Sequence, residues 1–520
     1  MSLILETTRT IDATEIDRGC RIARPDSGKK TFARTFPLFV ILLLVPWTYD
    51  GVRVIRQGVQ TVLQPVATCG TEMHILDGVA CIARGEPLYP PINGLPLAYH
   101  LYNPLTYVPA GLVGRWWGLD LDGMLVAGRC MSLMSMVGIL GLVAWYVRRV
   151  TENVWLAALA AAMVVYFHSS TLTDFFRNRP ETPAILLSLA AWIIAQFRPR
   201  GWTAICAMAC IAAIAFKPTF VAAPLAIALQ LGYQRRFRAL FKVMSISAVL
   251  GLAVICGSYV LLGDGYFEHT VWAMMSNPMH PLERSLALYP LLAQMHWGWL
   301  LPAAVCSAGW LLHRRSELPL LIYLTVCLAV TTIAHGKVGS DLNYHGELSL
   351  LMVLTTVTAI GRMHASESRF VVAPLLCLLI GTWSAIIVFG PVWNQLSLNR
   401  SVPQPYLDSS VDTTRDVSEY VARYIPYRGR ILILDDEISV RVGSSVVYDW
   451  YGLALLFSSG HVSFETLESA VREQQYAVIV LGPLSKSEWS TRLRNAALAS
   501  GYRLTRHNAR VEEYTLAGTR

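Results

Sequence analysis

Between two long apolar runs the chain reads Cys69-Gly-Thr-Glu72-Met-His-Ile-Leu-Asp77-Gly, and it continues through Arg84-Gly-Glu-Pro-Leu-Tyr89. This stretch is polar and acidic, and it follows the first apolar run. When the apolar runs are threaded through a membrane by charge, the other clusters of ionisable residues fall on the same side as Glu72. The pattern therefore predicts one outward-facing site organised around this stretch.

The composition indicates a multi-pass helical membrane protein. Of the 520 residues, 54% are hydrophobic and 15% are charged, and the mean hydropathy is +0.44. A chain with this composition is too apolar to be an ordinary soluble domain. The formal charge is +8, but Lys and Arg occur in short clusters between apolar runs, as the positive-inside rule expects of cytoplasmic loops. No basic stripe with interleaved aromatic residues is present, which argues against nucleic-acid binding.

Charge sets the predicted topology. Segment 1–34 is basic and precedes the first run, so we expect a cytoplasmic N-terminus. The pair Arg148-Arg149 belongs inside, so 101–118 is interpreted as a juxtamembrane or re-entrant helix within a long first outer loop, 51–127. About 11 transmembrane helices result, with the C-terminus outside; the predicted spans are 35–50, 128–147, 154–172, 182–197, 202–217, 219–233, 239–262, 295–313, 317–335, 345–361 and 370–391.

The composition changes after the membrane part, which we predict to occupy 35–395. Residues 405–520 are more charged and show the patterning of a small, soluble α/β domain on the outer side. Strands are predicted at 430–434, 445–449, 476–481 and 502–505, and helices at 412–424, 464–474 and 486–500. The acidic run Asp435-Asp436-Glu437 is interpreted as a solvated turn in preference to a binding site. The predicted fold class is an α-helical polytopic membrane protein with a C-terminal α/β domain.

Glu72 and Asp77 are the candidate catalytic residues. Transfer to a hydroxyl or amine needs a base for the acceptor's proton, and a carboxylate in a partly dry pocket suits that role. Spacing does not choose between the two residues. It also leaves open that both are solvated loop carboxylates.

Three further polar clusters are candidates for binding a donor phosphate and the substrates. Before an apolar helix, Arg179 is suited to a phosphate and Glu181 to orienting it or the acceptor, although charges that anchor a helix end give the same pattern. Lys217-Pro218 splits a long apolar stretch, and a lysine at a membrane edge indicates function unless it snorkels. The last cluster, 335–347, supplies Lys337 and Ser340 for a phosphate. It also supplies polar groups for sugar hydroxyls, namely Asn343, Tyr344 and Glu347.

Cysteine and histidine spacing indicates no zinc site, and no metal ligands are predicted. Cys69 and Cys81 share the first loop. Two interpretations stay open for them, a disulfide in an oxidising compartment or two free thiols.

Together these motifs resemble bacterial GT-C class multi-pass glycosyltransferases, near the protein mannosyltransferases and the lipopolysaccharide-core galacturonosyl transferases. The resemblance spans roughly 35–395, and it rests on Thr71-Glu72…Asp77-Gly, Gly85-Glu-Pro-Leu-Tyr89, Tyr102-Asn-Pro-Leu, Arg179-Pro-Glu181, Lys217-Pro-Thr219 and Gly339-Ser340-Asp-Leu-Asn343-Tyr344.

The resemblance implies inverting transfer of a hexosyl or uronosyl group from a polyprenyl-phosphate-linked sugar. The acceptor would be a glycan, lipid or protein at the outer face of the bacterial cytoplasmic (inner) membrane. It also implies that Glu72 is the base. Relatives with two adjacent acidic residues differ from this chain, where Thr71 precedes Glu72, and this puts a metal requirement in doubt.

A second class of function fits the same composition. A transporter or flippase of a lipid-linked sugar also needs polar groups inside a helical bundle. Such proteins usually show repeats and helices broken near the membrane midplane. Neither is present here, and the charged groups lie at the ends of the predicted spans, so an enzyme is favoured.

Overall fold

A computed structural model describes residues 30–64, 67, 70–92, 97–171, 176–276, 279–292, 300–337, 342–366, 374–379, 410–443, 453, 456–458, 460, 462–482, 488–508 and 511–516. The membrane part of this structure is helical. Its helices are α1 (Lys30–Leu63), α2 (Gly70–Arg84), α3 (Val108–Trp117), α4 (Leu121–Thr151), α5 (Val154–Thr171), α6 (Glu181–Phe197), α7 (Trp202–Phe216), α8 (Ala222–Tyr233), α9 (Phe237–Leu262), α10 (Leu282–Leu292), α11 (Leu300–Leu311), α12 (Leu318–His335) and α13 (Gly346–Ala365). Short helical turns cover 104–106, 265–276, 315–317 and 342–345.

Apolar helices occupy the predicted spans from 35–50 to 345–361, whereas 370–391 lies largely outside the described residues. Within the described chain, five helical segments are long and apolar enough to cross a membrane by themselves: Leu38–Leu63, Leu121–Thr151, Phe237–Leu262, Arg315–His335 and Gly346–Ala365. Helices α5 to α8 and α11 are apolar but shorter. The architecture is that of a polytopic membrane protein.

Helix α13 lies in the interior of the bundle, because almost every residue from Gly346 to Met363 is buried. α6 packs on α7, α1 on α5, and α11 on α13. In α9 only Val243 and Ser258 are buried, and apolar side chains cover its outer surface. A helix that exposes apolar residues all along its length suits contact with lipid.

The first loop is shorter and more helical than predicted. α1 continues to Leu63, well past the predicted end at residue 50, because 51–63 still buries one face, including Thr61 and Val62. The acidic stretch itself forms α2 instead of a loop. α3, within 101–118, is a short helix as expected, and it has too few residues to span a membrane.

A mixed α/β unit follows the membrane part. It contains α14 (Ser410–Tyr424), β1 (Ile431–Leu434), α15 (Asp436–Val442), α16 (Glu465–Arg472), β2 (Val478–Leu481), α17 (Glu488–Ala499), β3 (Tyr502–His507) and β4 (Glu512–Leu516). The sheet order is β1-β2-β4-β3, with β1 parallel to β2 and the other pairs antiparallel. Leu432 pairs with Ile479 in the centre.

Most of this unit follows the sequence prediction. Strands lie at three of the predicted positions, 445–449 falls outside the described residues, and β4 was not predicted. In the acidic run, Asp435 caps α15 by accepting a hydrogen bond from the Ile438 N–H at 3.0 Å. That residue therefore has a structural role at a helix N-terminus.

The α/β unit packs directly on the first loop. Leu97 and Tyr99 share a buried apolar cluster with Leu432 of β1. Arg441 of α15 forms an ion pair of 2.9 Å with Asp122 at the start of α4. The sheet is thereby joined to the loop that carries the candidate catalytic residues.

Candidate active site

Glu72 lies in the first turn of α2, where a carboxylate complements the helix dipole, and its side chain is fully buried. It forms a bidentate ion pair with Arg129 of α4. Nε of Arg129 donates to Oε1 at 2.9 Å and Nη2 donates to Oε2 at 2.8 Å. The Asn178 N–H also donates to Oε1, at 2.8 Å.

Arg129 ties three segments together at this point. Its Nη1 donates to the carbonyls of Thr61 at 2.7 Å and Gln64 at 2.6 Å, both at the end of α1. Together with the contacts to Glu72, these hydrogen bonds use most of the N–H donors of the Arg129 guanidinium, which has no exposed surface. The ends of α1 and α2 are therefore fixed to α4.

The preceding residue, Gly128, lets the Asn178 loop approach α4. A Cβ at Gly128 would lie 2.3 Å from the Asn178 side chain, which no ordinary contact allows. The close approach presents the Asn178 N–H to Glu72. It also places the next residue, Arg179, beside α2, where its Nη2 donates to Oγ1 of Thr71 at 3.1 Å.

A second buried ion pair joins Glu181 and Lys217, with 2.6 Å between Oε1 and Nζ. Glu181 begins α6, and Lys217 follows the end of α7 in extended backbone, as the residue before a proline prefers. α6 and α7 are antiparallel neighbours joined by a short turn, so the two residues lie at the same end of the bundle. The break predicted at Lys217-Pro218 is confirmed.

Aromatic rings and further cations surround Lys217. Its Nζ lies 4.1 Å from the ring centroid of Tyr344 and 5.8 Å from that of Tyr102. Arg179 and Lys337 are both close enough to repel it electrostatically. We call Arg179, Glu181, Lys217, Lys337 and Tyr344 the cationic cluster.

Lys337 lies just beyond α12, next to Met274, whose Sδ is 3.6 Å from Nζ. Burial, helped by the positive charge of Lys217, lowers the pKa of Lys337 to about 8. The ammonium therefore loses its proton more readily than an ordinary lysine.

Asp77 belongs neither to the cationic cluster nor to the ion pair of Glu72 and Arg129. It follows Glu72 by five residues on α2, which rotates it by about 140° around the helix axis, so the two carboxylates face different neighbours. Oδ2 of Asp77 lies 2.9 Å from Nε2 of His100, and both side chains are buried. The interpretation of either residue as a solvated loop carboxylate is wrong.

The remaining predicted residues lie elsewhere or outside the described chain. Glu347 is buried on α13, where it accepts a hydrogen bond from the Tyr323 hydroxyl of α12. The structure thus places it between packed helices. Ser340 and the side chain of Asn343 lie outside the described residues, as does Cys69 of the possible disulfide. Within the described part of the chain, no group of three or more potential metal ligands is found.

Two residues that contact the candidate carboxylates, Arg129 and His100, are not predicted from the sequence. Arg129 was hidden at the start of a predicted span, and His100 was one polar residue in a mixed loop. The position of Arg129 within an apolar run could have indicated its role, because an ionisable residue in a membrane segment usually pairs with a partner or has a function. No comparable signal marked His100.

Known proteins resemble this chain in part of its sequence and in its fold. Residues 98–278 match the model of the Alg9-like mannosyltransferase family. The chain is similar in structure to ArnT from Cupriavidus metallidurans bound to undecaprenyl phosphate, with a TM-score of 0.60, 14% identity and coverage of 93% of this chain and 98% of ArnT. For the apo state of ArnT the TM-score is 0.59 and the identity 13%, with 90% and 97% covered. None of the curated protein sequences matches the chain significantly.

Proposed function

Because the chain is a membrane protein with the fold of GT-C class glycosyltransferases, we propose that it transfers a sugar from a polyprenyl-phosphate-linked donor. The acceptor is a glycan, lipid or protein at the outer face of the bacterial inner membrane. The matched family segment, 98–278, contains Arg129, Arg179, Glu181 and Lys217. The similar ArnT structure contains undecaprenyl phosphate, a ligand of the proposed chemical class.

The cationic cluster is the observation that carries the proposal. The positive charges of Lys217, Arg179 and Lys337 lie close to one another, with Lys217 and Arg179 buried and Lys337 partly buried. Cations that lie close together in a region of low dielectric constant repel one another, and an anion bound among them offsets that repulsion. A phosphate is such an anion. We therefore assign the donor phosphate to this cluster, at the end of α7, where Tyr102 of the first loop faces Lys217.

The proposed reaction is a single displacement with inversion. The acceptor oxygen or nitrogen attacks the anomeric carbon while the bond to the polyprenyl phosphate breaks. The acceptor's proton passes to a base, and the phosphate leaves as an anion beside Lys217. A cation in that position stabilises the developing negative charge.

We propose Glu72 as the base because of the resemblance to GT-C class glycosyltransferases. Arg129 donates two hydrogen bonds to the Glu72 carboxylate and so fixes its orientation. Asp77 is the second candidate, since it contacts a histidine instead of a guanidinium. We propose no metal in the reaction.

Glycolipid and glycan mass spectrometry of a deletion strain tests this function. The strain should lose one sugar from an envelope glycan, lipid or protein, and the parent gene should restore it. The Lys217→Met gene should not restore it, although its product inserts normally. An intact glycome together with blocked movement of a lipid-linked sugar across the membrane would instead support the transporter alternative.

A further inference from the structure

Segment 97–103 connects the cationic cluster with a separate cavity. Tyr102 faces Lys217, whereas His100, two residues earlier, contacts Asp77. Residues two apart in a chain are separated by at most about 7 Å. The side chains that contact Lys217 and those that line the cavity therefore belong to adjacent sites.

This cavity has a volume of about 450 Å³ and lies between the first loop and the α/β unit. One wall comes from α2 and the loop after it, including Asp77, Arg84 and His100. The other comes from Arg428, Gly429 and Gly443. The volume falls in the range of sites for small molecules. No member of the cationic cluster lines it.

Two of the residues that line the cavity, Asp77 and His100, are buried and polar. His100 Nε2 faces Asp77, and its Nδ1 faces the carbonyl of Leu88. The His100 N–H donates to Nδ1 of His269 at 3.0 Å, and the other nitrogen of His269 contacts the carbonyl of Pro90 at 2.7 Å. The backbone here is thus held rigidly.

Cys81 adds no charge to this surface. Burial, with a contribution from the Asp77 carboxylate, raises the pKa of its thiol to about 12. It stays protonated at neutral pH and is a poor nucleophile.

Positive charge at the rim comes from two arginines in different situations. Arg84 forms an ion pair of 2.7 Å with Glu86. Arg428 is exposed, and among the described residues it forms no ion pair. An arginine fork binds a phosphate or carboxylate with two parallel hydrogen bonds.

The geometry points to this cavity as the acceptor subsite, which binds a saccharide-sized group that carries an anionic substituent. Arg428 binds the anion, and the carboxylates of Asp77 and Glu86 accept hydrogen bonds from hydroxyl groups. The inference rests on the proposed function, and it gives the α/β unit a role in recognising the acceptor.

Binding to the full-length protein in detergent tests the inference, with glucose 1-phosphate, glucose and inorganic phosphate as acceptor-side probes and undecaprenyl phosphate as donor-side probe. The wild type should bind glucose 1-phosphate more tightly than glucose or phosphate. Arg428→Ala should weaken that binding about tenfold or more and leave undecaprenyl phosphate binding unchanged. Arg430→Ala is the matched control, since Arg430 is exposed nearby and does not line the cavity.

The outcomes separate this inference from the proposed function. Equal binding of glucose 1-phosphate by the wild type and Arg428→Ala would overturn the subsite. So would equal binding of inorganic phosphate and glucose 1-phosphate, because the site would then recognise phosphate alone. A wild-type protein that does not bind undecaprenyl phosphate would count against the donor assignment, whatever the acceptor probes show.

Discussion

Glu72 and Arg129 form a bidentate ion pair between α2 and α4 in which neither side chain is exposed, with N–O distances of 2.9 Å and 2.8 Å. A pair buried in this way fixes the register of the first loop against the bundle. Removing one partner leaves the other charge buried without compensation. The free-energy cost of that buried charge exceeds the net stabilisation that the intact pair provides. The pair therefore links the stability of the fold to the proposed base.

Arg129→Met should lower the free energy of unfolding by about 3–5 kcal/mol, because Glu72 is left buried without its guanidinium. Thermal unfolding of the purified protein in detergent measures this. Arg149→Met is the control, since Arg149 is exposed at the far end of the same helix. Equal melting temperatures for the two variants would show that the pair is not important for stability.

Glu72→Gln should reduce sugar transfer by about 10²-fold or more, the usual scale for loss of a general base. The amide still accepts a hydrogen bond from Arg129 but does not take up a proton. Asp77→Asn should reduce transfer less. Rates are compared per folded protein, because both residues are buried. Near-normal turnover in Glu72→Gln with an inactive Asp77→Asn would reassign the base to Asp77.

Lys337 should make donor binding depend on pH. Its pKa is lowered from 10.5 to about 8 in the folded protein, so its charge is lost as the pH rises through about 8. The affinity for undecaprenyl phosphate should therefore fall between pH 7 and 9, where the phosphate charge changes little. Over pH 8 to 10.5 the unfolded chain binds more protons, so this residue's contribution to stability rises with pH.

Two variants isolate the contribution of Lys337. Lys337→Met should bind undecaprenyl phosphate weakly with no step near pH 8. Lys337→Arg should bind without that step as well, since arginine keeps its charge, although its planar fork restores affinity only in part. An unchanged affinity in Lys337→Met would indicate that this lysine only reaches toward lipid headgroups.

Leu97→Ala should destabilise the protein by about 2–5 kcal/mol, because Leu97 is fully buried in the cluster that joins the first loop to the α/β sheet. The melting temperature in detergent is the readout. Leu498→Ala serves as the control, since Leu498 is about half exposed on α17. Similar melting temperatures would mean that the loop and the sheet do not depend on each other.

The membrane bundle could be predicted because long apolar runs indicate segments that lie in lipid, and basic turns indicate loops on the cytoplasmic side. The helical break at Lys217-Pro218 could be predicted for a different reason, since a proline restricts its own backbone and that of the residue before it. The extension of α1 to Leu63 could not, because 51–63 has the polarity of a loop and becomes a helix by packing one face.

The side-chain partners of the candidate site residues could not be predicted from the sequence. Sequence spacing placed Glu72 and Asp77 together, whereas helical rotation turns them toward Arg129 and His100. Tertiary contacts between segments far apart in the chain decide such pairs, and a single sequence does not contain them. The same reason explains why Glu347, beside the other polar residues in sequence, lies with Tyr323 in the bundle.

Titration with undecaprenyl phosphate tests the central claim, that the cluster around Lys217 binds the donor phosphate. The wild type and Lys217→Met are compared in detergent, with Lys242→Met as control because Lys242 is exposed on α9. Loss of a charge-assisted contact should weaken binding by about tenfold to a hundredfold in Lys217→Met and leave Lys242→Met unchanged. Folded Lys217→Met that binds undecaprenyl phosphate as tightly as the wild type would contradict the claim.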